Sequence, residues 1–167
     1  LIGCTGSIGR QTADVVRRYP ERFCFSALAC GHGGAAFEAL CAEFSPAVAL
    51  CSEGGVVPPA GTRARKEGEE ARLFEGCDVA FIAAGGLAGL KDTLLAAEAV
   101  KKIALANKAS LVCGAWLDLR AVTGTGLDLV PVDSERSVFF QCLACRRHAS
   151  FAMLVGSALG CSYHLFP

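Results

Sequence analysis

Short apolar runs alternate along this chain with segments whose apolar residues recur at helical spacing. Residues 7–18 carry Ile8, Val15 and Val16 among polar neighbours and run into Tyr19-Pro20, which predicts a helix with a proline stop. The apolar run at 23–29 predicts a strand. Phe37, Leu40, Cys41 and Phe44 predict a helix over 35–44, and 47–51 predicts a second strand. Residues 52–61 are rich in Gly and Pro and read as loop. The charged stretch 63–74 reads as a solvated surface helix. Beyond it, strands are expected at 78–83, 103–106, 127–130 and 151–155, and helices at 87–100, 108–122 and 134–144. Leu1-Ile2 reads as the end of a strand too short to pair usefully, so the chain is expected to begin inside a longer protein and to stop inside it. Strands alternating with helices imply βαβ units. The expected fold class is α/β, Rossmann-like and doubly wound, with a mainly parallel sheet. The expected division is a nucleotide-binding domain over 1–130 and the start of a catalytic, metal-binding domain over 131–167.

Composition narrows this picture. The 167 residues are 53% hydrophobic and 19% charged, which suits one packed domain and excludes a disordered tail. Sixteen basic residues balance sixteen acidic ones, so charge gives no case for a nucleic-acid or membrane partner. No apolar run reaches the ~18 residues of a membrane span. The longest candidate, 149–161, is interrupted by Ser150, Gly156, Ser157 and Gly160. No signal-peptide pattern is present. Ten cysteines lie singly in apolar segments, Cys24, Cys30, Cys77 and Cys113 among them, and read as reduced, buried thiols of a cytoplasmic protein. Cys142 and Cys145 form a C-x-x-C that helical spacing explains without metal.

Four groups of residues carry candidate chemistry. Gly3-Cys4-Thr5-Gly6-Ser7-Ile8-Gly9 follows a strand end and opens a helix, where backbone N–H groups can approach a pyrophosphate. Its spacing is G-x-x-G-x-x-G, and an ordinary glycine turn is the alternative. The following strand ends Cys30-Gly31-His32 with no acid to hold a ribose 2′-hydroxyl, which favours NADPH over NADH. His32 is placed to meet a 2′-phosphate, or is simply a solvated loop histidine. Asn107 and Lys108 follow the strand at 103–106, where open α/β sheets bind ligands. They can serve cofactor and substrate, or a helix cap with a solvated lysine. In Pro131-Val132-Asp133-Ser134-Glu135, two carboxylates can turn toward one hard cation such as Mg²⁺ or Mn²⁺. The alternative is Ser134 capping a helix with an acidic first turn.

The glycine loop with Val15-Val16 and Pro20-Glu21-Arg22-Phe23, the segment Ile103 to Lys108, Gly85-Gly86-Leu87, and Asp133-Ser134-Glu135 running on to Phe140-Gln141 resemble the 1-deoxy-D-xylulose 5-phosphate reductoisomerase family. The resemblance implies conversion of 1-deoxy-D-xylulose 5-phosphate to 2-C-methyl-D-erythritol 4-phosphate in non-mevalonate isoprenoid biosynthesis. It implies NADPH, a divalent metal (Mg²⁺ or Mn²⁺), a homodimer when full length, fosmidomycin as inhibitor, and a cytoplasmic or plastid-type location. It further implies that Thr5, Gly6, Ser7, Ile8, Gly31, His32, Gly33 and Asn107 contact NADPH. Lys108 would contact substrate, Asp133 and Glu135 would hold the metal, and Ser134 and Glu135 would touch substrate.

The sequence departs from the family pattern at Ala109, where a glutamate is usual, and at His32-Gly33, where a Lys/Asn-like pair is usual. The match decays from about Ala144, and the family's third metal ligand and flexible lid are missing. The chain is therefore expected to be an inactive portion of a reductoisomerase. A stand-alone Rossmann module that binds nucleotide without catalysis is the alternative, and an unrelated NADPH dehydrogenase would leave Asp133-Ser134-Glu135 unexplained.

Overall fold

The computed structural model describes residues 1–53, 62–65, 68, 70–107 and 126–144. Their elements run α1 (Ser7–Arg18), β1 (Ala27–His32), α2 (Ala35–Phe44), β2 (Val48–Glu53), β3 (Arg63–Arg65) and a 3-10 turn (Glu70–Phe74). They continue with β4 (Ala80–Ile82), α3 (Ala88–Ala99), β5 (Lys102–Leu105), β6 (Asp128–Pro131) and α4 (Ser134–Ala144). The expected helix at 108–122 and the strand at 151–155 lie outside the described residues, as does the loop expected at 52–61 from residue 54 on; Ser52 and Glu53 are strand, because pairing with β1 carries β2 two residues past the apolar run.

The strand pairs are parallel: β1 with β2, β2 with β3, β4 with β5, and β5 with β6. These form two three-stranded sheets, β1-β2-β3 and β4-β5-β6. Ile2 joins them through parallel bridges to Ala29 on one side and Ile82 on the other. Its N–H donates to Phe81 O at 2.8 Å, and its carbonyl accepts from Ala83 N–H at 2.9 Å. On the other flank, Leu1 O accepts from Ala29 N–H at 2.9 Å. The Leu1-Ile2 stub thus pairs usefully after all, because ready-made strands flank it on both sides. The spatial order is β3-β2-β1-Ile2-β4-β5-β6, and it reverses direction at Ile2. That is the topological switch point of a doubly wound sheet, beside which such folds bind ligands.

Helices cover both faces, so the central strand carries no polar face. Residues 27–30 of β1 are all buried. One face packs Ala27, Ala29, Leu50, Ile82, Ile103 and Leu105 against Leu73, Phe74 and Ala96. The other packs Leu28, Cys30 and Ala49 against Cys4, Phe37 and Cys41. Leu28, Ile82, Ile103 and Leu105 are fully buried, each contributing about 1.5–3 kcal/mol of apolar transfer. Tyr19 N–H bonds back to Val15 O at 3.1 Å and Pro20 ends α1 after Arg17 and Arg18, whose charges suit the helix C-terminus. α2 ends at Ser45, left-handed at φ 46°, followed by Pro46.

Two expectations shift. The first strand begins at Ala27, not at residue 23, because Arg22 and Phe23 N–H groups close a turn onto Tyr19 O at 3.0 and 3.1 Å. The expected surface helix at 63–74 is two different elements. Arg63–Arg65 adds an edge strand to β2, Gly68 turns at φ 93°, and a 3-10 turn then buries Leu73 and Phe74. Charge patterning concealed that buried pair.

Candidate functional site

The glycine loop leaves the sheet at the switch point. Gly3 and Cys4 N–H groups both donate to Ala29 O, at 2.8 and 3.1 Å, which pins the loop to β1. Gly6 N–H donates to Gly3 O at 3.1 Å, and Gly6 is the N-cap of α1 with no side-chain cap. The first turn of backbone N–H groups therefore faces outward without an intrahelical acceptor. The first helical bond here is Arg10 N–H to Gly6 O, 2.9 Å. Gly9 lets the helix sit this close to the loop. A Cβ there would lie 2.3 Å from Gly3 O and 2.6 Å from Cys4 O. Thr5 and Ile8 are half-buried, while Gly6 and Ser7 are exposed.

At the end of β1, Gly31, His32 and Gly33 are exposed. The register pairs Cys30 with Cys51 and His32 with Glu53. His32 Nδ1 lies 2.7 Å from Glu53 Oε2, with both side chains open to solvent. Gly33 N–H donates to Glu53 O at 3.3 Å. An acid is thus present at this corner, supplied by the neighbouring strand. Reading β1 alone missed it. The repeat of Cys-x-His and Cys-x-Glu at the two strand ends was the available signal.

Asn107 follows β5 and is buried, 6% exposed. Its Nδ2 donates to Gly86 O at 2.8 Å, in the turn between β4 and α3. The α3 residue beside it is Gly89, where a Cβ would fall 2.2 Å from Asn107 Nδ2. Lys108 lies outside the described residues.

Asp133 follows β6 and is the N-terminal cap of α4. Its Oδ1 accepts Arg136 N–H at 2.8 Å, and its Oδ2 forms an ion pair with Arg136 Nε. Ser137 N–H reaches Asp133 O at 2.9 Å, and Ser137 Oγ donates to Pro131 O at 2.8 Å. The cap is therefore Asp133, not Ser134, which is exposed. The Glu135 side chain lies outside the described part. Among the described residues no group of three or more His, Cys, Asp or Glu converges as a metal cage. Among the described side chains of this loop Asp133 is the carboxylate, with lone pairs left beyond the two Arg136 contacts.

Thr5 to Ile8, Gly31 to Gly33, Asn107 and Asp133 each follow the C-terminal end of a parallel strand, so they share one edge of the sheet. Several described thiols lie under this edge, Cys4 within the glycine loop and Cys51 with its Sγ 2.9 Å from Glu53 O. Cys4, Cys30 and Cys41 are buried, while Cys51 and Cys77 are half-buried and Cys24 is exposed, against expectation, and Cys113 lies outside the described residues. Contact with the Cys4 thiol and burial push the Cys30 thiol well above the ordinary range, and burial raises the Cys41 thiol. Protonated, buried thiols of this kind pack rather than react.

Residues 1–115 match the family model for 1-deoxy-D-xylulose 5-phosphate reductoisomerase. The chain is 37% identical to the Burkholderia multivorans protein of that name over 96% of its own length and 44% of the relative's. It is 36% identical to the Burkholderia mallei protein over the same shares. The chain thus spans less than half the length of these relatives. The solved Zymomonas mobilis reductoisomerase in complex with NADPH superposes with a TM-score of 0.75 at 31% identity, over 84% of this chain and 40% of that one. A reductoisomerase structure with NADPH, fosmidomycin and magnesium superposes with a TM-score of 0.76 at 31% identity, over 84% and 37%.

Proposed function

The chain belongs to the 1-deoxy-D-xylulose 5-phosphate reductoisomerase family, and on that premise we propose that it forms the NADPH-binding part of an enzyme converting 1-deoxy-D-xylulose 5-phosphate to 2-C-methyl-D-erythritol 4-phosphate. One observation carries this reading. The open N-terminal turn of α1, the ends of β1 and β5, and the cap of α4 all lie along the C-terminal edge of a parallel sheet whose order reverses at Ile2. Solved relatives are complexed with NADPH and with magnesium.

When bound, NADPH supplies a hydride and a divalent cation (Mg²⁺ or Mn²⁺) supplies Lewis acidity toward the substrate's oxygens. The residues of this chain bind and orient. The backbone at Thr5, Gly6, Ser7 and Ile8 would hold the pyrophosphate, because the open first turn of α1 and the helix dipole favour an anion there. Gly31, His32 and Gly33 would meet the adenosine end. Asn107, held by Gly86, would fix the floor under the cofactor. Lys108 would meet substrate. Asp133 and Glu135 would hold the cation, with Ser134 and Glu135 against substrate, as part of a catalytic region beginning at 131. Asp133 suits a hard cation by its chemistry and buried position, once Arg136 shares it. The whole enzyme would be a homodimer in the cytoplasm or a plastid-type organelle.

The test is direct. Purified protein is titrated with NADPH by quenching of its fluorescence, and the full-length protein is assayed for NADPH oxidation on adding the sugar phosphate with Mg²⁺. Saturable binding and substrate-dependent oxidation support the reading. Binding with no oxidation in the full-length protein would leave a nucleotide-binding module.

A further inference from the structure

The corner that would receive the adenosine ribose holds a carboxylate that β1 does not supply. Glu53 ends β2 in register with His32, its Oε2 lies 2.7 Å from His32 Nδ1, and its side chain is 71% exposed. Its backbone carbonyl accepts from Gly33 N–H at 3.3 Å, so the two strand ends are tied at main chain as well as side chain. We infer that Glu53 is a specificity-determining residue that restrains the preference for NADPH over NADH. This rests on the cofactor reading above.

The electrostatics follow from the two cofactors' one difference. A 2′-phosphate adds close to two negative charges at neutral pH, while a 2′-hydroxyl adds none. Glu53 acts against the phosphate in two ways. Its own negative charge repels the phosphate, and it occupies the His32 nitrogen that would otherwise donate to it. Toward a 2′-hydroxyl the same carboxylate is an acceptor, the role an acid plays at this corner in NAD sites. Both effects lower the NADPH:NADH affinity ratio. His32 works in the opposite sense, as a ring N–H donor at the end of β1. Exposure keeps the size modest, on the order of five- to tenfold in the ratio.

The experiment measures NADPH and NADH affinity by calorimetry in the unsubstituted protein, in Glu53→Gln and in His32→Gln. Glu53→Gln keeps the side chain's shape and removes only its charge, and at an exposed position it leaves folding intact, checked by circular dichroism. The inference expects Glu53→Gln to raise the NADPH:NADH affinity ratio about fivefold or more, with the gain shrinking at high salt. His32→Gln should lower the ratio. A ratio within twofold of the unsubstituted protein in Glu53→Gln, with NADPH still binding, overturns the role of Glu53 while leaving the cofactor reading in place. Failure of the unsubstituted protein to bind either dinucleotide overturns that reading, and this inference with it.

Discussion

Asn107 and Gly86 are joined by a 2.8 Å hydrogen bond that ties the end of β5 to the turn opening α3. The bond braces the C-terminal end of β5 against that turn. Gly89 makes the approach possible, since any side chain there would strike the amide. Position and stability are therefore coupled at one side chain. Asn107→Ala should cost about 1–2 kcal/mol, because a buried partner loses its bond. It should weaken NADPH binding as well. Urea unfolding and a binding titration on the same variant check both effects, and weaker binding with unchanged stability would dismiss the structural tie.

Gly9 and Gly85 give a matched pair of alanine substitutions. A Cβ at Gly9 would lie 2.3 Å from Gly3 O, whereas at Gly85 nothing lies within 4 Å. Backbone cannot move aside as a flexible side chain can. Gly9→Ala should destabilise by about 3 kcal/mol or more, while Gly85→Ala should stay within about 0.5 kcal/mol. Comparable thermal midpoints for the two variants would mean that α1 does not sit against the loop as described.

Asp133 can be asked to separate its two roles. As the cap of α4 it accepts Arg136 N–H at 2.8 Å. Asparagine caps about as well as aspartate, whereas alanine does not. Asp133→Ala should therefore cost about 0.5–2 kcal/mol, and Asp133→Asn much less. Both should weaken Mn²⁺ binding to the full-length protein at least about tenfold if Asp133 is a ligand. Unchanged Mn²⁺ affinity in Asp133→Asn would confine this residue to capping.

Asp92 on α3 gives a pH signature. Burial first, and then the Glu70 carboxylate, push its carboxyl up to about 6 from 3.8. The folded state thus holds this proton more tightly than the unfolded chain does. Its contribution to stability is present at low pH and is lost as pH rises through that window. Asp92→Asn should stabilise the protein near neutral pH by about 1 kcal/mol, once solvent screening of this partly exposed group is allowed for. The gain should vanish below about pH 4. Thermal unfolding of both proteins across pH checks this, and a gain independent of pH would remove titration as its cause.

The alternation of elements was legible because each helix and strand carries its own period. α1, α2 and α4 fall where the pattern predicts them. The strand at residues 23–29 slid because apolar content, not pairing, defined it, and pairing with β2 is what sets β1. Residues 63–74 misled because charge hid Leu73 and Phe74, whose burial depends on a distant partner, α3. The same limit applies at the site. The glycine loop is local and could be read locally. Glu53 could not, since 21 positions separate it from His32 and only the parallel register joins them. Asp133 is legible as an acid from sequence, but its cap of α4 shows only once Arg136 folds back on it.

Hydrogen exchange with and without NADPH is the measurement that meets the central claim most directly. The cofactor should slow exchange at the amides of residues 5–9 and 31–33 together, because both segments border one edge of the sheet. Protection confined to those segments and to the Asn107 region would locate the dinucleotide where the fold has prepared for it. Saturating NADPH that left residues 5–9 and 31–33 exchanging at their original rates would contradict the account.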